Sequence, residues 1–208
     1  MKREDLRLYA VTDRSWVGEG TLLEQVEQAL RGGVSFVQLR EKHLDDAAFL
    51  AEARELRALC AKYGVPFVVN DRVDIALAVD ADGVHVGQED TAVKEARRLL
   101  GPGKIVGATC KSVEQALRAV DEGADYIGSG AMFPSTAKPE AQGISFDELR
   151  AICAAARIPV VAIGGITEAN LPSLAGTGIA GAALVSAIFA QKDIEAAARR
   201  LRELTEKL

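Results

Sequence analysis

Short runs rich in valine, isoleucine and alanine recur along this chain about every 26 residues, and segments of helical spacing separate them. The runs fall at 8–13, 34–42, 65–71, 83–88, 104–110, 125–133, 158–165 and 181–188. The helical segments fall at 21–33, 45–64, 75–81, 91–101, 112–124, 145–156, 168–178 and 193–208. In the second of these, Phe49, Ala53, Leu56, Cys60 and Tyr63 keep the 3.6-residue period and Gly64 ends it. Strands apolar on both faces belong to a parallel sheet covered by helices. Eight strand–helix units with no break in composition predict an α/β fold, a single (β/α)8 TIM barrel over residues 1–208. An open doubly wound sheet is the rival. Its first turn is glycine-rich, and TDRSWVGEG at 12–20 is not GxGxxG.

Charge and apolar length exclude other classes. A net charge of −5 with no Lys/Arg block argues against a nucleic-acid partner. The longest weakly polar stretch, GIAGAALVSAIFA at 178–190, is well short of the ~20 residues that span a bilayer and is expected to hold a buried strand. The opening MKREDLRLYAV is too briefly apolar for a signal peptide. Cys60, Cys110 and Cys153 are far apart and form no CxxC, which fits free thiols in a reducing cytoplasm.

In a barrel of this kind the reactive rim is built from the downstream ends of the strands. The sequence puts Asp13 and Arg14 after the first strand, and Gln38, Arg40 and Lys42 at alternating positions on the second. Asn70 and Asp71 end the third strand, Gln88 and Asp90 the fourth, and Thr109 the fifth. The loop after the sixth carries Ser135, Thr136 and Lys138; Gly164-Gly165 end the seventh, and Ser186 lies near the end of the eighth. Any one of these could simply be a strand turning polar as it meets water. The set is harder to dismiss, because cations and carboxylates both cluster in it and no Ser-His-Asp arrangement does.

Arg and Lys suit phosphate oxyanions. Two carboxylates without metal-spaced histidines suit Mg2+, which takes one or two carboxylates plus substrate phosphate oxygens. A Gly-Gly after the seventh strand matches the place where such barrels bind a phosphate monoester through backbone N–H groups. The rim is therefore expected to hold a diphosphate with Mg2+ on the side of strands two to four, and a monophosphate on the side of strands seven and eight. His85, flanked by valines, reads as a structural side chain, His43 as a solvated loop residue, and Cys110 as a packed thiol with no partner base. Trp16 is open to a lid or a packing role. The acids in DGVHVGQED lack EF-hand spacing.

LYAVTDR, VQLREK, VVNDRVDIALAVDADGVHVGQED, GADYIGSGAMFPSTAK, VAIGGIT and VSAIF occur in this order. Together they resemble the thiamine phosphate synthase family, from the first strand to the last helix. The resemblance implies a cytoplasmic transferase acting on two small molecules, hydroxymethylpyrimidine diphosphate and hydroxyethylthiazole phosphate, with Mg2+, to give thiamine phosphate and pyrophosphate. By motif, Gln38 and Asn70 would orient the pyrimidine. Arg40, Lys42, Thr109 and Lys138 would hold the pyrophosphate, and Asp71 and Asp90 would coordinate Mg2+. Ser135, Gly165 and Ser186 would face the thiazole phosphate, with Thr136, Val161, Ile163 and Val185 beside them.

Two departures stand out. The family's PTxTK loop reads PSTAK here, so Ala137 lacks a hydroxyl; and GAT replaces GVS after the fifth strand, placing Thr109 at the Ser position. Three rival readings predict other residues. A thiazole tautomerase of the same barrel family would carry a histidine where Lys111 stands. A noncatalytic precursor-binding regulator would have lost the acids or the cations. A phosphate-binding isomerase or aldolase would show a base or a buried lysine.

Overall fold

A computed structural model describes residues 1–18, 20–87, 92–134 and 143–208. Eight parallel strands run Leu8–Val11 (β1), Phe36–Leu39 (β2), Phe67–Asn70 (β3), Gly83–Val86 (β4), Ile105–Thr109 (β5), Tyr126–Ser129 (β6), Val160–Ile163 (β7) and Gly181–Leu184 (β8). They close in sequence order into a barrel, with β1 pairing β8. The fold is the (β/α)8 barrel that the alternation predicts. The helices are Leu22–Arg31 (α1), Asp46–Tyr63 (α2), Val73–Ala78 (α3), Val93–Leu100 (α4), Val113–Asp121 (α5), Phe146–Ala156 (α6), Ser186–Phe189 (α7) and Ile194–Thr205 (α8).

Helix starts follow their capping chemistry. Thr21 and Glu24 form a reciprocal capping box on α1, and Asp45, Ser112, Ser145 and Asp193 each accept from a backbone N–H of α2, α5, α6 and α8. Two sequence expectations are corrected. The segment 168–178 forms only a short 3-10 turn, Leu171–Leu174, with Pro172 inside it. The run 181–188 is strand only to Leu184, since residues from Ser186 wind into α7.

Apolar residues divide into two layers. One fills the space between the sheet and the helices, including Leu39, Leu56, Val84, Ile127, Leu149 and Leu184. The other lies inside the barrel and includes Leu6, Tyr9, Phe36, Val68, Tyr126 and Val161. Tyr9, Phe36 and Tyr126 meet edge to face, with centroids 4.6 to 5.9 Å apart.

At the upstream end a repeated device ties strands in pairs. Ser35, just before β2, accepts from Leu8 N–H at the start of β1 at 3.0 Å. Asp82, just before β4, accepts from Phe67 N–H at 2.8 Å, and Asp125, just before β6, accepts from Val106 N–H at 2.8 Å. Each side chain satisfies a backbone donor where the ladder begins. Asp82, an acid of DGVHVGQED that lacks EF-hand spacing, is thus a structural tie, and Asp125 is another.

Candidate active site

A cavity of about 230 Å³ opens at the downstream ends of the strands. The parallel pairing and alternation of β2 to β5 point Gln38, Asn70, His85 and Thr109 inward. Gln38, Arg40, Asn70, Thr109, Val161, Ile163, Gly165, Val185 and Ser186, all expected from the sequence, line it. Asp71 lies next to Asn70 at the end of β3 with a left-handed backbone (φ 61), and its N–H donates to the carbonyl of His85 at 2.9 Å. Its carboxylate accepts from the carboxamide of Asn70. Lys42 is exposed at the rim and is not part of the cavity wall. Asp90, Ser135, Thr136 and Lys138 lie outside the described residues.

The opposite wall is a glycine turn. Gly164 and Gly165 both have positive φ (95 and 64). A Cβ on Gly165 would stand 2.4 Å from the carbonyl oxygen of Phe133 and 2.5 Å from that of Pro134, so only glycine fits there. The carbonyls of Ile163, Gly164 and Gly165 accept from Met132 N–H, Phe133 N–H and the Asn170 carboxamide, each at 3.0 Å. With the carbonyl side of the turn committed, its N–H side is what it can offer an anion.

The wall also holds Asp13, which the sequence places at the rim, and residues that the sequence did not offer as site residues. Tyr9, His85 and Lys111 are among these. Their signal was the alternation that placed Gln38, because Tyr9 and His85 are the inward-facing positions of LYAV and GVHV. His85 is buried, with Nδ1 2.9 Å from the Tyr126 hydroxyl and Nε2 2.9 Å from the Thr109 hydroxyl. It is built into the wall it helps to form. Asp13 also caps the turn that follows it, accepting from Ser15 N–H at 3.0 Å. Cys110 is a packed thiol: burial pushes it up to about 12, far from a thiolate at neutral pH. Trp16 and His43 are exposed in their loops.

A larger open depression of about 690 Å³ lies outside the barrel among Lys94, Arg97, Arg98, Arg118, Asp121 and Glu122. Arg97 there is a brace, donating to the carbonyls of Gly101, Lys104 and Gly123 and to Asp125. The depression is remote from the strand ends where barrel chemistry resides.

Residues 8–188 match the family described as thiamine monophosphate synthase. The chain belongs to that family. The thiamine-phosphate synthase of Caldanaerobacter subterraneus subsp. tengcongensis is 48% identical over 206 residues, covering 98% of this chain and 96% of the relative. That of Chloroflexus aurantiacus is 50% identical over 201 residues, covering 96% and 93%. Among solved structures, thiamine phosphate pyrophosphorylase from Pyrococcus furiosus superposes with a TM-score of 0.90 at 41% identity, covering 98% of this chain and 97% of that one. Thiamine monophosphate synthases are enzymes, transferases, and this chain is one of them. No helix among the described residues is long and apolar enough to cross a membrane.

Proposed function

We propose that the chain joins hydroxymethylpyrimidine diphosphate to hydroxyethylthiazole phosphate, giving thiamine phosphate and pyrophosphate, as a cytoplasmic single-domain catalyst. One observation carries the reading. A single cavity sets the polar wall of Gln38, Arg40, Asn70 and Thr109 across from the glycine turn 164–165 and Ser186. Such a cavity suits two anionic substrates meeting over an apolar floor.

Gln38 and Asn70 orient the pyrimidine through their carboxamides. Arg40, Thr109, Lys42 from the rim and Lys138 hold the diphosphate. The bond from the pyrimidine methylene carbon to the diphosphate oxygen breaks first, and its electron pair leaves with pyrophosphate. The thiazole nitrogen then donates its lone pair to the carbon. That nitrogen has no proton to lose, so no general base is needed. Gly165, Ser186, Ser135 and Thr136 bind the thiazole phosphate, with Val161, Ile163 and Val185 forming the wall around the ring. Cations fixed in place before reaction stabilise the departing charge without reorganising.

The residues present fit Mg2+. Asp71 supplies a hard carboxylate beside the anion wall, and among the described residues no group of three His, Cys, Asp or Glu side chains gathers into a closed cage. One or two carboxylates with the remaining positions left to water and phosphate oxygens is the Mg2+ pattern. Asp71 and Asp90 would hold the ion, and it would supply positive charge to the diphosphate oxygens.

The test is to incubate the protein with both precursors and Mg2+ and follow thiamine phosphate by chromatography. Product that depends on both precursors supports the reading. No product from well-folded protein overturns it.

A further inference from the structure

Five polar side chains from five strands form an unbroken chain through the barrel. Gln38 Nε2 of β2 donates to the Tyr9 hydroxyl of β1. The Tyr9 and Tyr126 hydroxyls are 2.7 Å apart. The Tyr126 hydroxyl of β6 is 2.9 Å from His85 Nδ1 of β4, and His85 Nε2 is 2.9 Å from the Thr109 hydroxyl of β5. The chain begins and ends in the cavity wall, since Gln38 and Thr109 both line it. Tyr9 and His85 between them also line it, while Tyr126 is buried at 0% exposure.

We propose that these residues act as one directional relay, in which the orientation of the Gln38 carboxamide sets the tautomer of His85 and, through it, the direction of the Thr109 hydroxyl proton. Tyr9, Tyr126 and His85 are then positioning residues. Their role in the reaction rests on the function proposed above, whereas the relay itself does not.

The argument is proton accounting. Burial holds both phenols well above their ordinary pKa, so each keeps its one proton. Tyr9 accepts from Gln38 and must therefore give its proton to Tyr126. Tyr126 accepts from Tyr9 and gives its own to Nδ1. A neutral imidazole that accepts at Nδ1 carries its proton on Nε2. That proton goes to Thr109, whose own hydroxyl proton is then turned to an acceptor other than His85. Turning the Gln38 carboxamide over presents Oε1 to Tyr9 and reverses every step. Mixed arrangements leave two donors or two acceptors facing each other in a buried site, which burial disfavours.

The relay names a ligand chemistry. With one Nε2–H committed to Tyr9, Gln38 keeps its second N–H and Oε1 for a ligand, and Oε1 accepts. A ring bearing an N–H donor holds the carboxamide in the orientation that turns the Thr109 proton away from His85. Recognition of the ring donor at one wall and the direction of the Thr109 hydroxyl at the other become one cooperative event. The barrel makes room for the relay by omitting side chains. A Cβ on Gly107 would stand 2.4 Å from the Tyr126 hydroxyl, and one on Gly128 would stand 3.2 Å from His85 Cε1.

The chain has two histidines, so His43→Gln leaves His85 as the one imidazole seen by 15N NMR. In that background at pH 8 the proton is expected on Nε2. Gln38→Glu, whose carboxylate only accepts, is expected to move it to Nδ1. Tyr126→Phe, and independently Tyr9→Phe if the first fails to fold, is expected to abolish the response to position 38. The same nitrogen protonated with Gln or Glu at position 38, or a response that survives the cut, overturns the relay. In the coupling assay Tyr126→Phe is expected to lower kcat roughly ten- to a hundredfold, the range for partners that orient an imidazole, with KM little changed. Unchanged turnover overturns the positioning role. Absence of thiamine phosphate with the wild-type chain would sink the functional reading and leave the NMR result standing.

Discussion

A Cβ on Gly107 would stand 2.1 Å from Cζ of Tyr126, so β5 meets the ring from β6 with no side chain between them. Gly107→Ala must move the ring or the strand. In a full interior such overpacking costs about 1–3 kcal/mol or more. Urea denaturation of the variant should show that loss as a lowered midpoint. A change under about 0.5 kcal/mol, the scatter of neutral surface substitutions, would show that the ring has room to yield.

Asp125 ties α4 to β5, accepting from Arg97 and from Val106 N–H at 2.8 Å. Asp125→Ala strands the Val106 N–H and removes the charged partner of Arg97, which keeps its carbonyl partners. The expected destabilisation is about 2–3 kcal/mol, the range for hydrogen bonds to charged groups. Asp125→Asn, which keeps one acceptor oxygen, should cost clearly less. Equal losses for the two variants, measured by denaturation, would remove the charge from the explanation.

Arg40 lines the cavity, whereas Lys42 stands exposed outside its wall. Arg40→Ala should lower kcat/KM about 10²–10³-fold, as for loss of one well-aimed donor. Lys42→Ala should cost less, because a screened cation at the rim contributes less. The comparison is made by steady-state kinetics on both variants. A larger loss from Lys42→Ala would relocate the anion to the rim.

Mg2+ removal should be reversible. EDTA is expected to abolish turnover, and Mg2+ to restore it. Asp71→Asn should raise the Mg2+ concentration needed for half-maximal rate. An unchanged Mg2+ requirement would take Asp71 out of the metal site.

Arg14 bonds Glu52 at 2.5 Å and Glu41 at 3.2 Å, joining the loop after β1 to β2 and α2. Burial nevertheless lifts the Glu52 carboxyl above the ordinary glutamate range, outweighing Arg14, and its Oε2 is buried with no hydrogen-bond partner among the described residues. Folding therefore favours the protonated acid. Its contribution is fully present below the unfolded-state pKa and is lost as pH rises through the folded one. Between about pH 4 and neutrality the wild type should lose Tm relative to Glu52→Gln. Parallel Tm profiles for the two proteins would contradict this.

The barrel was legible because period-2 and period-3.6 patterns survive in strands such as FVVN and helices such as α2. Gln38, Asn70 and Thr109 were legible for the same reason, since strand phase fixes which face they occupy. Failures came where local pattern and tertiary demand part. AALVSAI reads as one apolar run, yet the chain must turn away after Leu184 to begin α7. His85 is structural, as its valine neighbours suggest, but they do not reveal what it bonds. Its partners, Tyr126 and Thr109, lie 41 and 24 residues away and only barrel closure brings them together. The ties made by Asp82 and Asp125 were not legible because the donors they satisfy belong to the preceding strands.

Closure joins β1 to β8 through Leu8–Ala182, Tyr9–Ala183 and Ala10–Leu184, and Arg3 clamps the carbonyls of Gly178 and Ile179. On the ribosome, the earliest strand must wait for the latest. Until then its outer edge offers unpaired amides and carbonyls to any extended neighbour, a template for misassembly. For a newborn chain, the most hazardous interval lies just before β8 reaches β1.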